Sequence, residues 1–122
     1  PSHTLNPVMV LKDGKPKYLM TTPGGPGQTL SMVQVLSNLL DRGMELTTAI
    51  EYPRWSVGLD GSFMLEDGYS EDITNELGRR GHTVKHGSGA SYFGSAKTIE
   101  ILDNGVLTGA ADTRREASAV GR

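Results

Sequence analysis

The segment Thr22-Pro23-Gly24-Gly25-Pro26-Gly27 constrains this chain more than any other. Its prolines lack the amide that a helix or central strand needs, and its glycines favour turns, so no regular element can run through it. An apolar β-type run, Lys17 to Thr21, leads into it, and a helical pattern from about Thr29 to Asp41 leaves it. A strand must therefore stop and a helix start within a few residues. Where that happens, backbone N–H groups lie open and can converge on one point.

The rest of the chain reads as short elements around this break. Val8 to Leu11 and Lys17 to Thr21, separated by Asp13-Gly14, predict a hairpin. In the helix, Val33, Leu36 and Leu40 form one apolar stripe, and Met32, Val35 and Leu39 widen it. A helix apolar around most of its circumference calls for burial on several sides. Gly43 is placed to end it. A short helix over Leu46 to Glu51 stops before Pro53. Arg54 to Val57 and Phe63 to Leu65 predict strands around Asp60-Gly61, with Trp55 and Phe63 as core residues. Ser70 stands as the N-cap of a helix running to about Arg80. After a short strand at Thr83 to Lys85 and a glycine-rich loop, Gly87 to Gly94, the clearest hairpin follows. Thr98 to Leu102 and Val106 to Ala110 are joined through Asn104-Gly105. The pattern is α+β, with antiparallel hairpins and no internal repeat.

Composition excludes several classes of function. With 36% hydrophobic and 21% charged residues, the 122-residue chain is neither a disordered tail nor a membrane span. A net charge of -2 argues against a nucleic-acid partner, which needs a concentrated basic surface. The absence of cysteine excludes disulfides, thiolate nucleophiles and cysteine–zinc sites. His82 and His86 straddle a predicted helix end and strand and make no convincing metal site, so neither metal nor cofactor is called for. No signal peptide is visible, and the chain opens on Pro1 rather than Met, which predicts that the true start lies elsewhere. Periplasmic, extracellular and cytoplasmic locations all stay open.

Three groups could carry chemistry. Gly24 and Gly25 follow a strand end, and their amides suit a carboxylate, a phosphate or a developing oxyanion; a tight connection requiring positive φ is the plainer alternative. The run is not a P-loop, because the Gly-Lys-Ser/Thr element is missing. His3 and Thr4 are candidate substrate contacts near a chain end. Asp112 with Arg114 and Arg115 forms either a carboxylate-binding cluster or an ion-paired segment that ties the tail down.

Six motifs in order then point to one family. Asn6-Pro7-Val8-Met9-Val10-Leu11-Lys12-Asp13-Gly14 resembles the Ser-Pro-Thr-Ile-Val-x-Lys-Asp-Gly stretch of the γ-glutamyltransferases, whose relatives include glutaryl-cephalosporin acylases. Thr22-Pro23-Gly24-Gly25 resembles their Ser-Pro-Gly-Gly. Ala49, Pro53 and Arg54 resemble their Ala-x-x-Pro-Arg element, with one residue more between Ala49 and Pro53. Glu66 and Gly68 resemble Glu-x-Gly, and Leu77, Gly81, His82 and Val84 resemble Leu-x-x-x-Gly-His-x-Val. Gly109-Ala110-Ala111-Asp112-Thr113-Arg114 resembles the closing Gly-Ala-x-Asp-Pro-Arg.

The resemblance implies a C-terminal segment, residues 1–122, of the small catalytic subunit of an N-terminal-nucleophile hydrolase, part of an αββα sandwich. Such precursors cut themselves to expose an N-terminal threonine that attacks a γ-glutamyl amide. That nucleophile lies upstream, so the isolated chain is expected to be inactive. The resemblance makes Gly24 and Gly25 the oxyanion hole, puts His3 and Thr4 where the family has a Ser-Ser pair binding the donor carboxylate, and gives Asp112 and Arg114 a structural role. Partners are then a γ-glutamyl or related acyl-amide substrate, the rest of the small subunit and the large subunit. The apolar helix further predicts self-association of the isolated segment. A competing class is a non-catalytic α+β module that binds a small carboxylate or a protein through Gly24-Gly25; a degenerate scaffold member is a third.

Overall fold

The computed structural model describes residues 6–121. Strand β1 (Val8–Lys12) turns back into β2 (Lys15–Thr21) through Asp13 and Gly14, both at positive φ as a tight hairpin turn requires. After a 3-10 turn at Gly25–Gly27 come helices α1 (Gln28–Leu40) and α2 (Leu46–Glu51). Strands β3 (Trp55–Val57) and β4 (Phe63–Glu66), helix α3 (Glu71–Arg79) and strand β5 (Val84–Gly87) form the middle of the chain. A one-turn helix α4 (Ala90–Phe93) precedes β6 (Lys97–Ile101) and β7 (Leu107–Ala111).

Two sheets result. The larger is antiparallel throughout, in the order β1-β2-β6-β7. The smaller has the order β3-β4-β5, and its β4–β5 pair is parallel because α3 carries the chain across between them. No local pattern of residues marks that parallel pair. Differences elsewhere are small: α4 occupies the end of the glycine-rich loop, and Ser70 caps α3 without a side-chain hydrogen bond.

Helices α1 and α2 cover one face of the larger sheet. Tyr18, Met20 and Ala110 from the strands meet Met32, Val35 and Leu39 from α1 and Leu46, Ala49 and Ile50 from α2. The inward stripe of α1 is therefore Met32-Val35-Leu39, while Val33 and Leu40 face outward at 58% and 55% exposure. Sheet and α2 reach α1 from the same side, and one stripe suffices for both. The smaller sheet hangs on α1 through Gln34, whose amide pairs with both backbone groups of Trp55 at 2.8 Å, as a neighbouring strand would. Trp55 and Phe63 are not core residues. They stack half-buried, 5.7 Å apart, and Phe63 meets His82 edge-on. A three-stranded sheet with one short helix is too thin to enclose them.

Among the described residues the opposite face of the larger sheet carries no helix, and only the tail crosses it, with Ala119 against Gly109. Met9, Leu11, Ile99 and Leu107 stand exposed there. A cleft of about 950 Å³ runs over it, lined among others by Leu19, Thr21, Lys97, Ile99 and Leu107.

Charges buried where the two sheets meet lock the fold. Arg54, 1% exposed, pairs with Asp112 at 2.8 Å and donates to the carbonyls of Phe93 (2.8 Å) and Ile50 (2.6 Å). Asp112 also accepts from the amides of Ala96 and Arg114, and Arg114 bridges it to Glu66. Glu66 in turn accepts from the Arg54 amide at 3.0 Å. Burial on its own would raise the Asp112 carboxyl, but Arg54 and the two amides outweigh it and hold the group below the usual carboxylate range.

Because the folded-state pKa of Asp112 is depressed, its contribution to stability is complete above the unfolded value of about 4 and is lost as pH falls through the folded one. Asp112→Asn in the full-length protein should lower stability by about 3–5 kcal/mol by leaving Arg54 uncompensated. Thermal unfolding across pH 3–7 checks this. The variant should also respond less steeply to acid below about pH 4 than the parent; equal midpoints and equal slopes would refute it.

Candidate active site

The turn after β2 is built from below. Thr21 is the last ladder residue, paired with Lys97 of β6. Thr22 is fully buried, and its hydroxyl accepts from the Ser95 amide at 2.9 Å and donates to the Pro23 carbonyl at 2.8 Å. The chain then swings through Gly24 (φ 144°) and Gly25 (φ 52°), conformations that side chains disfavour. The Gly24 carbonyl accepts from the Gly27 amide at 3.0 Å, which closes the turn.

The Gly24 and Gly25 amides are different. Among the described residues, neither donates to a backbone or side-chain acceptor. Buried backbone donors nearly always find a partner, so two consecutive free ones on a half-buried turn are either solvated or kept for a ligand. Gly25 is exposed and Gly24 partly so. The sheet-face cleft reaches Thr21, although the two glycines do not line it.

Packing against the turn is segment 93–96, where each residue holds something. The Phe93 carbonyl accepts from Arg54 and from the Ser31 hydroxyl (2.9 Å). Gly94 lies against Thr22, and a Cβ there would sit 2.6 Å from the Thr22 hydroxyl, 2.9 Å from that of Ser31 and 3.2 Å from the Pro23 carbonyl. Ser95 holds Thr22, and Ala96 holds Asp112. Lys97 turns its ammonium back onto the carbonyl (2.9 Å) and hydroxyl (2.6 Å) of Ser95. Its partial burial lowers its pKa, with Asp112 opposing the shift. No carboxylate lies within ion-pair distance of Lys97 among the described residues.

The sequence profile of the family described as gamma-glutamyltranspeptidase matches residues 1–122. The chain belongs to the gamma-glutamyltranspeptidase family. It is 36% identical over 125 residues to the glutathione hydrolase-like YwrD proenzyme of Bacillus subtilis (strain 168), covering 98% of this chain and 24% of that protein. With the acylase ACY 1 proenzyme of Pseudomonas sp. (strain SE83) it shares 33% identity over 118 residues, covering 96% of this chain and 20% of the relative. The chain thus spans about a fifth to a quarter of these relatives. Its fold superposes on an acivicin-inhibited gamma-glutamyltranspeptidase with a TM-score of 0.83 at 27% identity, covering 93% of this chain and 62% of that one. Cephalosporin acylase from Bacillus halodurans gives 0.82 at 28%, covering 95% and 22%. The α+β fold is therefore that of the family's known structures.

Of the residues singled out in the sequence, Gly24 and Gly25 form the turn with free amides. Asp112 and Arg114 sit in the buried ion network, where Arg54 and Glu66 answer their charges. Segment 93–96 connects the two groups. His3 and Thr4 lie outside the described residues. Sequence reasoning passed over Ser95 and Lys97, and used Thr22, Arg54 and Glu66 only as matches to family motifs. A threonine directly before Pro-Gly-Gly was a usable signal for Thr22, since its hydroxyl can bond the local backbone.

Gly94 and Gly25 should respond differently to alanine. Gly25→Ala meets open space and should cost about 1–2 kcal/mol for its left-handed backbone alone. Gly94 (φ 72°, ψ -169°) occupies a region essentially reserved for glycine, and Gly94→Ala also collides with held groups, adding about 1–3 kcal/mol. Unfolding midpoints of the two full-length variants test the order; equal losses would contradict it.

Proposed function

We propose that this chain is the C-terminal segment of the small subunit of a self-processing acyl-amide hydrolase or transferase, and that it supplies the oxyanion hole and one wall of the donor pocket. The observation that carries this reading is the pair of acceptor-free amides at Gly24 and Gly25, in the segment that resembles the family's Ser-Pro-Gly-Gly. A threonine from outside this chain attacks the acyl carbonyl, and its own α-amine takes the hydroxyl proton. The C=O bond becomes a C–O⁻ single bond whose charge the two amides receive. Collapse of that intermediate expels the amine, which leaves with a proton, and gives an acyl-enzyme that water or an acceptor amine resolves. Fixed donors in a site sheltered from water stabilise this charge without reorganising. The donor is a γ-glutamyl or related acyl amide, the range spanned by the names of the relatives.

The sheet face crossed only by the tail, with Ala119 against Gly109, supports the same reading. One helical layer and one sheet layer make half of an αββα sandwich, and the apolar residues Met9, Leu11, Ile99 and Leu107 face the missing half. The remainder of the precursor, roughly four-fifths of the relatives' length, is its natural cover.

Processed full-length protein should release anilide from a γ-glutamyl anilide, and this chain alone should not; release by the isolated chain would refute the assignment. Crystals of the processed protein with a phosphonate acyl analogue on the nucleophile should place one phosphonyl oxygen about 2.7–3.1 Å from both amides. The isolated chain should also self-associate through its open face in sedimentation. A dilute monomer would count against the missing half-sandwich.

A further inference from the structure

We propose that the Thr22 hydroxyl is the positioning group of the oxyanion hole and fixes the direction in which the Gly24 amide points. This rests on the reading of Gly24 and Gly25 given above and adds a residue to it.

A peptide unit is planar and trans, so its C=O and N–H point in opposite directions. No peptide among the described residues is cis. Pinning the Pro23 carbonyl therefore aims the Gly24 N–H the other way. Thr22 does the pinning, donating to that carbonyl at 2.8 Å. The hydroxyl has a single hydrogen, and the Ser95 amide occupies an acceptor position on the same oxygen at 2.9 Å. With Ser95 on one side, the hydrogen is left for Pro23.

Ser95 is itself immobilised. It is fully buried, and Lys97 bonds both its carbonyl and its hydroxyl. Gly94 lets the two segments approach closely enough for the bond to form, since a Cβ there would fall 2.6 Å from the Thr22 oxygen. Thr22 is 0% exposed, so water cannot readily replace its hydroxyl. Without that hydroxyl, the Pro23–Gly24 peptide is free to rotate between two flexible neighbours, φ of Gly24 and ψ of Pro23. A donor that must be reoriented at each turnover loses the advantage of preorganisation.

The test uses the full-length precursor, with rates normalised to the processed subunit seen on a gel. Thr22→Val keeps the shape and removes the hydroxyl. It should lower kcat on a γ-glutamyl anilide by about 10- to 100-fold, less than the 10²–10³ that follows outright loss of a donor. KM should stay within about threefold, because the bond acts on the transition state. Affinity for the phosphonate should fall in parallel with kcat. Thr22→Ser should recover most of kcat. If Thr22→Val does not process, Thr22→Cys, with a weaker donor of similar size, carries the same expectation. Unchanged kcat in either variant overturns the inference, as does a Thr22→Ser loss as large as that of Thr22→Val, which would point to packing of the methyl. The phosphonate complex separates the two levels. If its oxygen lies away from Gly24 and Gly25, the underlying reading fails; if the oxygen is there and Thr22→Val keeps its kcat, only the role of Thr22 fails.

Discussion

A guanidinium removed from water must have its charge answered, and the fold of this chain is arranged around meeting that demand for Arg54, whose two terminal nitrogens are bonded while its buried Nε has no partner among the described residues. Three segments distant in sequence converge to do it: the carboxylate of Asp112 after β7, the carbonyl of Ile50 at the end of α2, and the carbonyl of Phe93 before β6. Asp112 then needs further donors and draws in the amides of Ala96 and Arg114. Arg114 needs a second carboxylate and takes Glu66 from the smaller sheet. An ion pair of this kind adds little net stability compared with apolar packing, but it tolerates one arrangement of its partners. In this chain the arrangement sets the position of segment 93–96.

That segment joins the scaffold to the site. Its first residue serves Arg54 and Ser31, its last serves Asp112, and the two between make contact with Thr22. The two glycines whose amides remain free are therefore supported by backbone that is itself held by buried charge. Loops can carry function when a rigid frame positions them, and the frame here reaches to within one residue of the turn.

Much of this was legible in the sequence. The Asp13-Gly14 and Asn104-Gly105 turns and the proline–glycine break located the hairpins and the start of α1 to within a few residues, because the chemistry of turns is local. Helix α2 stops at Glu51 because Pro53 disfavours helical backbone at Tyr52 before it. What depends on distant partners was not visible. Periodicity identified two stripes on α1 and could not say which faced the sheet. Nothing local marks β5 as the parallel neighbour of β4, or shows that Trp55 and Phe63 lie at a thin margin of the fold. The candidate site divided in the same way. Gly24 and Gly25 stood out by type, whereas Thr22 and Ser95 acquire meaning only across 73 positions of chain.

The support beneath the turn has a further consequence on the proposed reading. The amides belong to the backbone and are steadied from the interior, by residues that no substrate reaches. Side chains that line the cleft on the outer face, such as Leu19, Ile99 and Leu107, make none of the bonds that aim them. Those positions can change over evolutionary time, admitting a different acyl group, while the chemistry of charge stabilisation carries on undisturbed. A family whose names range from glutathione hydrolases to acylases is what such a division of labour produces.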